Sequence, residues 1–455
     1  MIHRSLVRPA RRRALLLGGA VAVLATGHAR PALAAHPAAR MHATLISSEP
    51  AKGSKIATSP ARIYLVFSEE VEPSLGSIRL VGPGGRVVTL KPAGDPRNVS
   101  ALVAPVPAPL DAGSWRVEWR IVSEDGHPID GTFTFTVVGA RSDTTSGAAL
   151  PPPVVQPPPV DSAPLEPAAA AEPTKSAFAD VPLLAATLRG LGVGFLTAFA
   201  GLLWFFGTRR DRALQPRTER LASSLAIGAA VTLVLHLFVW TLAVSPDRSL
   251  SGEHLSAMLI SRVGRIEVAR TALAVFGCWA LVLARRDRLA LFFALAAMAV
   301  SSATGHSAAI HPAWTIPMRA LHLVAIALWL GGLLWLLSLD RSDFAAVGAE
   351  AQRVSSAAMF AVIAVTFSGI VQAKFFIGDW AEFVRSTYGY VALIKLAGLG
   401  VLVLFGAHHR YRVMPKLTEA GVVVDFARSL RNEVLVLSVV ILIGGLLAYI
   451  PPPQH

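Results

Sequence analysis

Thr304-Gly-His-Ser-Ala-Ala-Ile-His-Pro-Ala-Trp-Thr-Ile-Pro-Met-Arg-Ala-Leu-His322 joins two long apolar segments and runs on, still apolar, to Trp329-Leu-Gly-Gly332. It places His306 and His311 in a short connection and His322 just inside the following segment. Ionisable side chains in or beside a membrane span are expensive to bury and mark functional positions. Imidazole is also a good ligand for copper, zinc, iron and nickel. What the connection can do depends on the compartment it faces, which the rest of the chain decides.

Of the 455 residues, 53% are hydrophobic and only 16% charged, too apolar for an ordinary soluble enzyme. The net charge of +13 would suggest nucleic acid in a soluble protein, but most of the arginine lies in short loops between apolar runs. Membrane topology accounts for it better, and no nucleic-acid partner is expected. Cys278 is the single cysteine and lies in an apolar run, which excludes an intrachain disulfide.

Working outward from the opening stretch, eight candidate spans read at about 181–207, 221–244, 266–284, 289–304, 318–339, 354–376, 389–407 and 433–450. Most approach the ~20 residues needed to cross a bilayer, and the fourth is short. With the N-terminus outside, the inner loops hold Arg209, Arg210, Arg212, Arg217 and Arg220, then Arg285, Arg286 and Arg288, then Arg341 and Arg353. The last inner loop adds Arg410, Arg412, Lys416, Arg428 and Arg431. The outer loops hold only Arg248, Arg262, Arg265 and Arg385, with Arg319 and Lys374 at span edges. This positive-inside bias puts His306 and His311 outside.

The N-terminal half agrees. Residues 1–35 read as a signal peptide, with basic Arg4, Arg8 and Arg11 to Arg13, an apolar stretch from Ala14 to Thr26, and small residues at Ala32-Leu-Ala34. Residues 36–139 alternate with period two at Ile63, Leu65 and Phe67, at Trp115, Val117, Trp119 and Ile121, and at Phe133, Phe135 and Val137. Short alternating strands with turns at Gly82-Pro-Gly-Gly85 and Asp125-Gly126 predict an all-β domain, a sandwich or a barrel. Residues 140–177 carry nine prolines among Ala, Ser and Gly and read as a linker. Its reach is on the order of 100 Å, enough for the sandwich to visit the membrane surface without being fixed there. Residues 178–452 form the membrane domain.

Two segments of the sandwich carry a resemblance: Met41-His-Ala-Thr-Leu-Ile-Ser-Ser-Glu-Pro50 and Ser123-Glu-Asp-Gly-His-Pro128. Both resemble the copper-binding CopC family, which begins His-Ala-x-Leu-x-x-Ser-x-Pro and carries an Asp-Gly-His-Pro turn. The resemblance implies an immunoglobulin-like or cupredoxin-like sandwich holding Cu(II) through His42, Asp125 and His127. Nitrogen and oxygen donors in tetragonal arrangement suit Cu(II). The predicted cleavage departs from the family pattern by leaving six residues before His42, so His36 is the alternative source of amino-terminal nitrogens. No methionine-rich segment is present, so the Cu(I) site of some relatives is not expected.

The membrane half resembles the CopD family at Thr304-Gly-His306, at His322 with Trp329-Leu-Gly-Gly332, and at Gly389 ahead of Lys395. The whole order looks like the fused CopC–CopD copper proteins: two domains, a sandwich and then an all-α eight-helix transmembrane bundle. Physically, His322 and Trp329 lie two turns apart on one helix face, and Gly331 and Gly332 permit close helix approach. His322 falls about 7–8 Å below a span start at Pro317, and His236 about 14 Å from its outer end. With His306 and His311 they could form a descending ladder of ligands supported by Trp329, Gly332 and Lys395. Plainer readings stand beside this one. His311 reads as solvated, His236 as helix-to-helix glue, Arg270 with Glu267 as a pair within one helix, and Cys278, Met298 and Met359 as core packing.

The expectation is therefore a multi-pass inner-membrane copper protein of homeostasis, resistance or uptake, a binder and carrier and not an enzyme. Copper ions, the bilayer and other periplasmic copper carriers are its expected partners. Histidines within helices also serve as axial ligands of b-type haem, so an electron-transfer or cupric-reductase module is the alternative. A sensing protein that transports nothing is the third.

Overall fold

The computed structural model describes residues 44–124, 126–139, 183–207, 216–245, 249–340, 342, 344–417, 420–450 and 452. The signal segment, His36, His42, Asp125 and the linker lie outside the described residues.

Among the described residues nine strands build the N-terminal domain: β1 (Leu45–Glu49), β2 (Lys55–Ile56), β3 (Arg62–Phe67), β4 (Ser77–Val81), β5 (Val87–Leu90), β6 (Ala93–Asp95), β7 (Asn98–Pro105), β8 (Gly113–Val122) and β9 (Pro128–Val137). One sheet has the order β1-β3-β7-β6 and the other β2-β9-β8-β4-β5. The period-two residues of β3, β8 and β9 all point into one shared core. Phe67 of the first sheet meets Trp119 of the second edge-on, with ring centroids 5.3 Å apart. Register sets Trp119 opposite Gly131, and a side chain on that glycine would collide with the indole. The domain is thus a β-sandwich with a core of its own. Residues 42–138 alone should fold without metal. In that domain Trp115→Ala should cost about 3–5 kcal/mol in chemical denaturation, because the indole is fully buried and donates to the Asp111 carbonyl at 2.9 Å.

The C-terminal region is helical: α1 (Leu183–Gly207), α2 (Pro216–Val244), α3 (Gly252–Ile260), α4 (Arg262–Val282), α5 (Asp287–Ser302), α6 (His306–Ala309), α7 (Pro312–Ser338), α8 (Phe344–Phe376), α9 (Trp380–Arg385), α10 (Thr387–His408) and α11 (Ala420–Leu447). Among the described residues, six helices are long and apolar enough to cross a membrane: α1, α2, α7, α8, α10 and α11. The count of eight spans is therefore approximate. The third and fourth predicted spans coincide with α4, which carries Arg262, Arg265, Glu267 and Arg270, and with α5, which has only 16 residues.

A second difference concerns α7, which starts at Pro312 and takes Pro317 into its interior. Proline suits a helix's first position, so Pro312 opens α7 and the residues from 312 to 317 are helix, not loop. His322 consequently lies about 15 Å into the helix, twice the depth first inferred. Glycines set the tightest crossing. A side chain on Gly331 of α7 would strike the backbone of Gly201 on α1, and one on Gly201 would strike the Ala327 carbonyl. Two Ser-x-x-Gly steps start helices after sharp breaks: Ser261 caps α4 and Ser386 caps α10, each accepting from the glycine N–H three residues on at 3.0 Å.

Candidate functional site

The hairpin between β8 and β9 decides the site. Gly126 has φ +89°, a left-handed conformation that glycine adopts without strain. Its N–H donates to the Ser123 carbonyl at 2.8 Å, while Ser123 N–H donates to the His127 carbonyl at 3.1 Å. The turn seats on the helices. Trp240 of α2 donates from Nε1 to the Gly126 carbonyl at 3.0 Å, and the Val263 N–H of α4 donates to Glu72 at 3.2 Å. Arg120 donates to the Ala243 carbonyl, and Arg262 pairs with Glu124. Beneath these, Leu75 and Val122 of the sandwich pack with Trp240, Val244, Met258 and Val263. Partial burial, then repulsion from Glu124, pushes the neighbouring Glu70 carboxyl above its ordinary pKa, and Arg262 opposes the shift. The length of the linker alone predicts a sandwich that is not fixed to the bundle. In the structure it is seated, because an apolar patch and complementary charges on both parts meet.

Seating buries His127, which is 6% exposed. Its ring lies 4.8 Å from that of Tyr449, edge-on, and 5.9 Å from that of His306, nearly parallel at 27°. His306 opens α6, and its Nε2 lies 3.2 Å from the Ile450 carbonyl. A carbonyl only accepts, so Nε2 carries the hydrogen and, in the neutral ring, Nδ1 carries the lone pair. The opening stretch thus meets the Asp-Gly-His-Pro turn across the two domains.

Below them, Tyr449 reaches His236 of α2, hydroxyl to Nε2 at 3.0 Å. Nδ1 of His236 faces Arg270 at 3.0 Å and Glu267 at 3.5 Å. Arg270 and Glu267 pair within α4, as their spacing predicts. Protein groups hold both nitrogens of His236, so the axial-ligand alternative loses that histidine in this arrangement. His322 stands apart: its Nδ1 lies 2.9 Å from Ser368 of α8, whose hydroxyl donates to the Val365 carbonyl at 3.1 Å. Nδ1–H of His322 is therefore the donor, and Nε2 holds the lone pair. His311 is exposed at the start of α7, with its ring 5.1 Å from that of Phe375. Lys395 packs by Gly444 of α11, Gly332 against Val354 and Phe205, and Trp329 donates to Glu433 at 2.8 Å. Among the described residues no group of three or more His, Cys, Asp or Glu side chains could hold a metal ion.

Several residues of this network escaped the sequence reading. Tyr449 and Trp240 carry no pattern that separates them from packing aromatics. Arg189 had a usable signal, being ionisable inside an apolar segment; the buried pair Glu433 with His409, 3.0 Å apart, stands beside arginine-rich loops and had none.

The fold and this interface define a class: a β-sandwich that presents a buried histidine to a helical bundle fit for a multi-pass membrane protein. Residues 45–138 match the CopC domain family and residues 348–447 match Copper resistance protein D. The Copper transport protein CutJ of Bacillus subtilis (strain 168) is 26% identical over 439 residues, covering 91% of this chain and 75% of that protein. Copper resistance protein C of Pseudomonas syringae pv. tomato is 38% identical over 108 residues, 22% of this chain and 82% of that protein. The crystal structure of CopC from Methylosinus trichosporium OB3b shares 31% identity, covering 22% of this chain and 98% of that one, with a TM-score of 0.21. Through its sandwich the chain belongs to the CopC family, and it joins that domain to a Copper resistance protein D segment.

Proposed function

We propose that this protein captures Cu(II) on its sandwich outside the inner membrane and hands it to the helical bundle at His306. His127, with Asp125 and the amino-terminal His36 or His42, is the capturing set. The nearly parallel approach of His127 and His306, 5.9 Å between centroids, carries the reading. With metal–imidazole nitrogen distances of about 2 Å, two rings on one ion have centroids roughly 5–6 Å apart. One ion can thus be shared during transfer, with Nδ1 of His306 as the accepting atom. His322, held by Ser368 with its Nε2 lone pair available, is the next ligand inward. Loading by other periplasmic copper carriers and net uptake complete the proposal, and the arginine-rich inner loops support the orientation.

Electron paramagnetic resonance tests the shared ion. One equivalent of Cu(II) on the full chain should show one more coupled imidazole nitrogen than on residues 36–138 alone. His306→Ala should return the full-chain signal to that of the isolated domain. Identical spectra in all three would remove His306 from the transfer path.

A further inference from the structure

Thr304-Gly-His306 does more than present a histidine. Arg189 of α1 donates to the Thr304 hydroxyl at 2.8 Å, and Arg319 of α7 donates to the Thr304 carbonyl at 2.6 Å. Gly305, between them in sequence, has φ +69°. A Cβ built on it would sit 3.2 Å from Arg189 Nη2 and 3.4 Å from Arg319 Nη1. The missing side chain is what lets two guanidinium groups converge on one peptide. Arg189 also lies over the Tyr449 ring, 5.6 Å from its centroid, and Tyr449 continues through His236 to Arg270.

Three guanidinium groups therefore share one network, and their ion pairs reach a single carboxylate, Glu267, among the described residues. Arg270 is fully buried. It spends Nη2 on Glu267 and His236, while its Nε and Nη1 have no acceptor among the described residues. A guanidinium carries five N–H donors, so most of this buried cation's donors have nothing to bond among the described residues. Buried charge of one sign without a counter-charge is strongly unfavourable. Arginine's planar fork is suited to carboxylates and other anions.

We propose that the bundle binds one small singly charged anion, a halide or a short carboxylate, among Arg189, Arg270 and Arg319. The anion accepts from Arg270 and offsets the excess positive charge gathered by Arg189 and Arg319 at Thr304, two residues before His306. This site stands independently of copper transfer.

The test uses the full chain in lipid nanodiscs, free of copper, with radiolabelled chloride or formate at constant ionic strength and gluconate as the bulky counter-anion. One saturable anion per chain is expected. Binding of chloride alone assigns a halide site, and binding of formate as well assigns a site that accepts carboxylates. Arg270→Gln should abolish binding, but it leaves Glu267 buried without its partner and can unfold the bundle. Arg319→Gln is therefore the deciding variant, since Arg319 is only partly buried and bonds a backbone carbonyl. It should weaken binding about tenfold, through the loss of one neighbouring positive charge, while monodispersity and the thermal midpoint in gluconate stay unchanged. Absence of saturable binding by the wild-type chain, or unchanged affinity in both Arg319→Gln and Arg189→Gln, overturns the proposal.

Discussion

His306→Ala should abolish copper accumulation by cells while leaving the amount of protein in the membrane unchanged. The expected fall is more than about tenfold, since losing even an outer-shell partner of a metal ligand costs 10–100-fold in affinity. His306 sits at the first residue of a four-residue helix, with its ring bonded to one backbone carbonyl. Truncating it removes the bond to the Ile450 carbonyl and the ring contacts with His127 and Phe376 without opening a helix crossing, so the bundle should survive. His322→Leu makes the complementary test. Leucine is apolar and close in size, and its main structural loss is the bond to Ser368. If His322 only packs, the leucine variant should accumulate copper as the wild type does. If it relays the ion, accumulation should fall while abundance holds. Normal accumulation in both variants would remove the opening stretch from the transport path.

Gly331→Leu should eliminate folded protein altogether. The crossing of α1 and α7 is set by backbone against backbone: a Cβ on Gly331 meets the main chain of Gly201, which cannot rotate aside as a side chain can. Overpacking a core against side chains costs about 1–3 kcal/mol, and here the helices themselves must separate. More than about 3 kcal/mol is expected, read as loss of monodisperse protein after detergent extraction and rapid proteolysis in membranes. Gly400→Ala is the control, because nothing lies within 4 Å of its added Cβ. Removing glycine's helix penalty of about 1 kcal/mol should leave that variant neutral or slightly more stable. A stable Gly331→Leu protein would mean that α1 and α7 do not cross at these glycines.

The strands were legible because alternation is a local property. In β3, β8 and β9 the same residues that alternate in sequence are the ones that share the core. The long helices were legible for a related reason, since a run of apolar residues needs no partner to be recognised. Where charge interrupted the run, as with four ionisable residues in α4, span and packed helix could not be told apart from composition. Pro317 misled for a definite reason. Proline ends many helices, but Pro312 supplied an earlier start, and α7 absorbed the second proline.

The site divides along the same line. By itself the sequence determined that His127 follows an Asp-Gly turn, that His306 ends a Thr-Gly-His step between apolar segments, and that the basic residues concentrate in a few loops between apolar runs. Each follows from residues close together in the chain. Only the tertiary structure decided that these two histidines, 179 positions apart in the sequence, meet beneath a seated sandwich. It also decided that His236 is held by Tyr449 and Arg270, and that Arg189 and Arg319 converge on Thr304. Such meetings depend on the shapes and charges of surfaces built from distant elements: Trp240 and Val263 against the hairpin, Gly305 between two guanidinium groups. Periodicity records which face of an element is apolar, whereas complementarity between two faces exists only once both are folded.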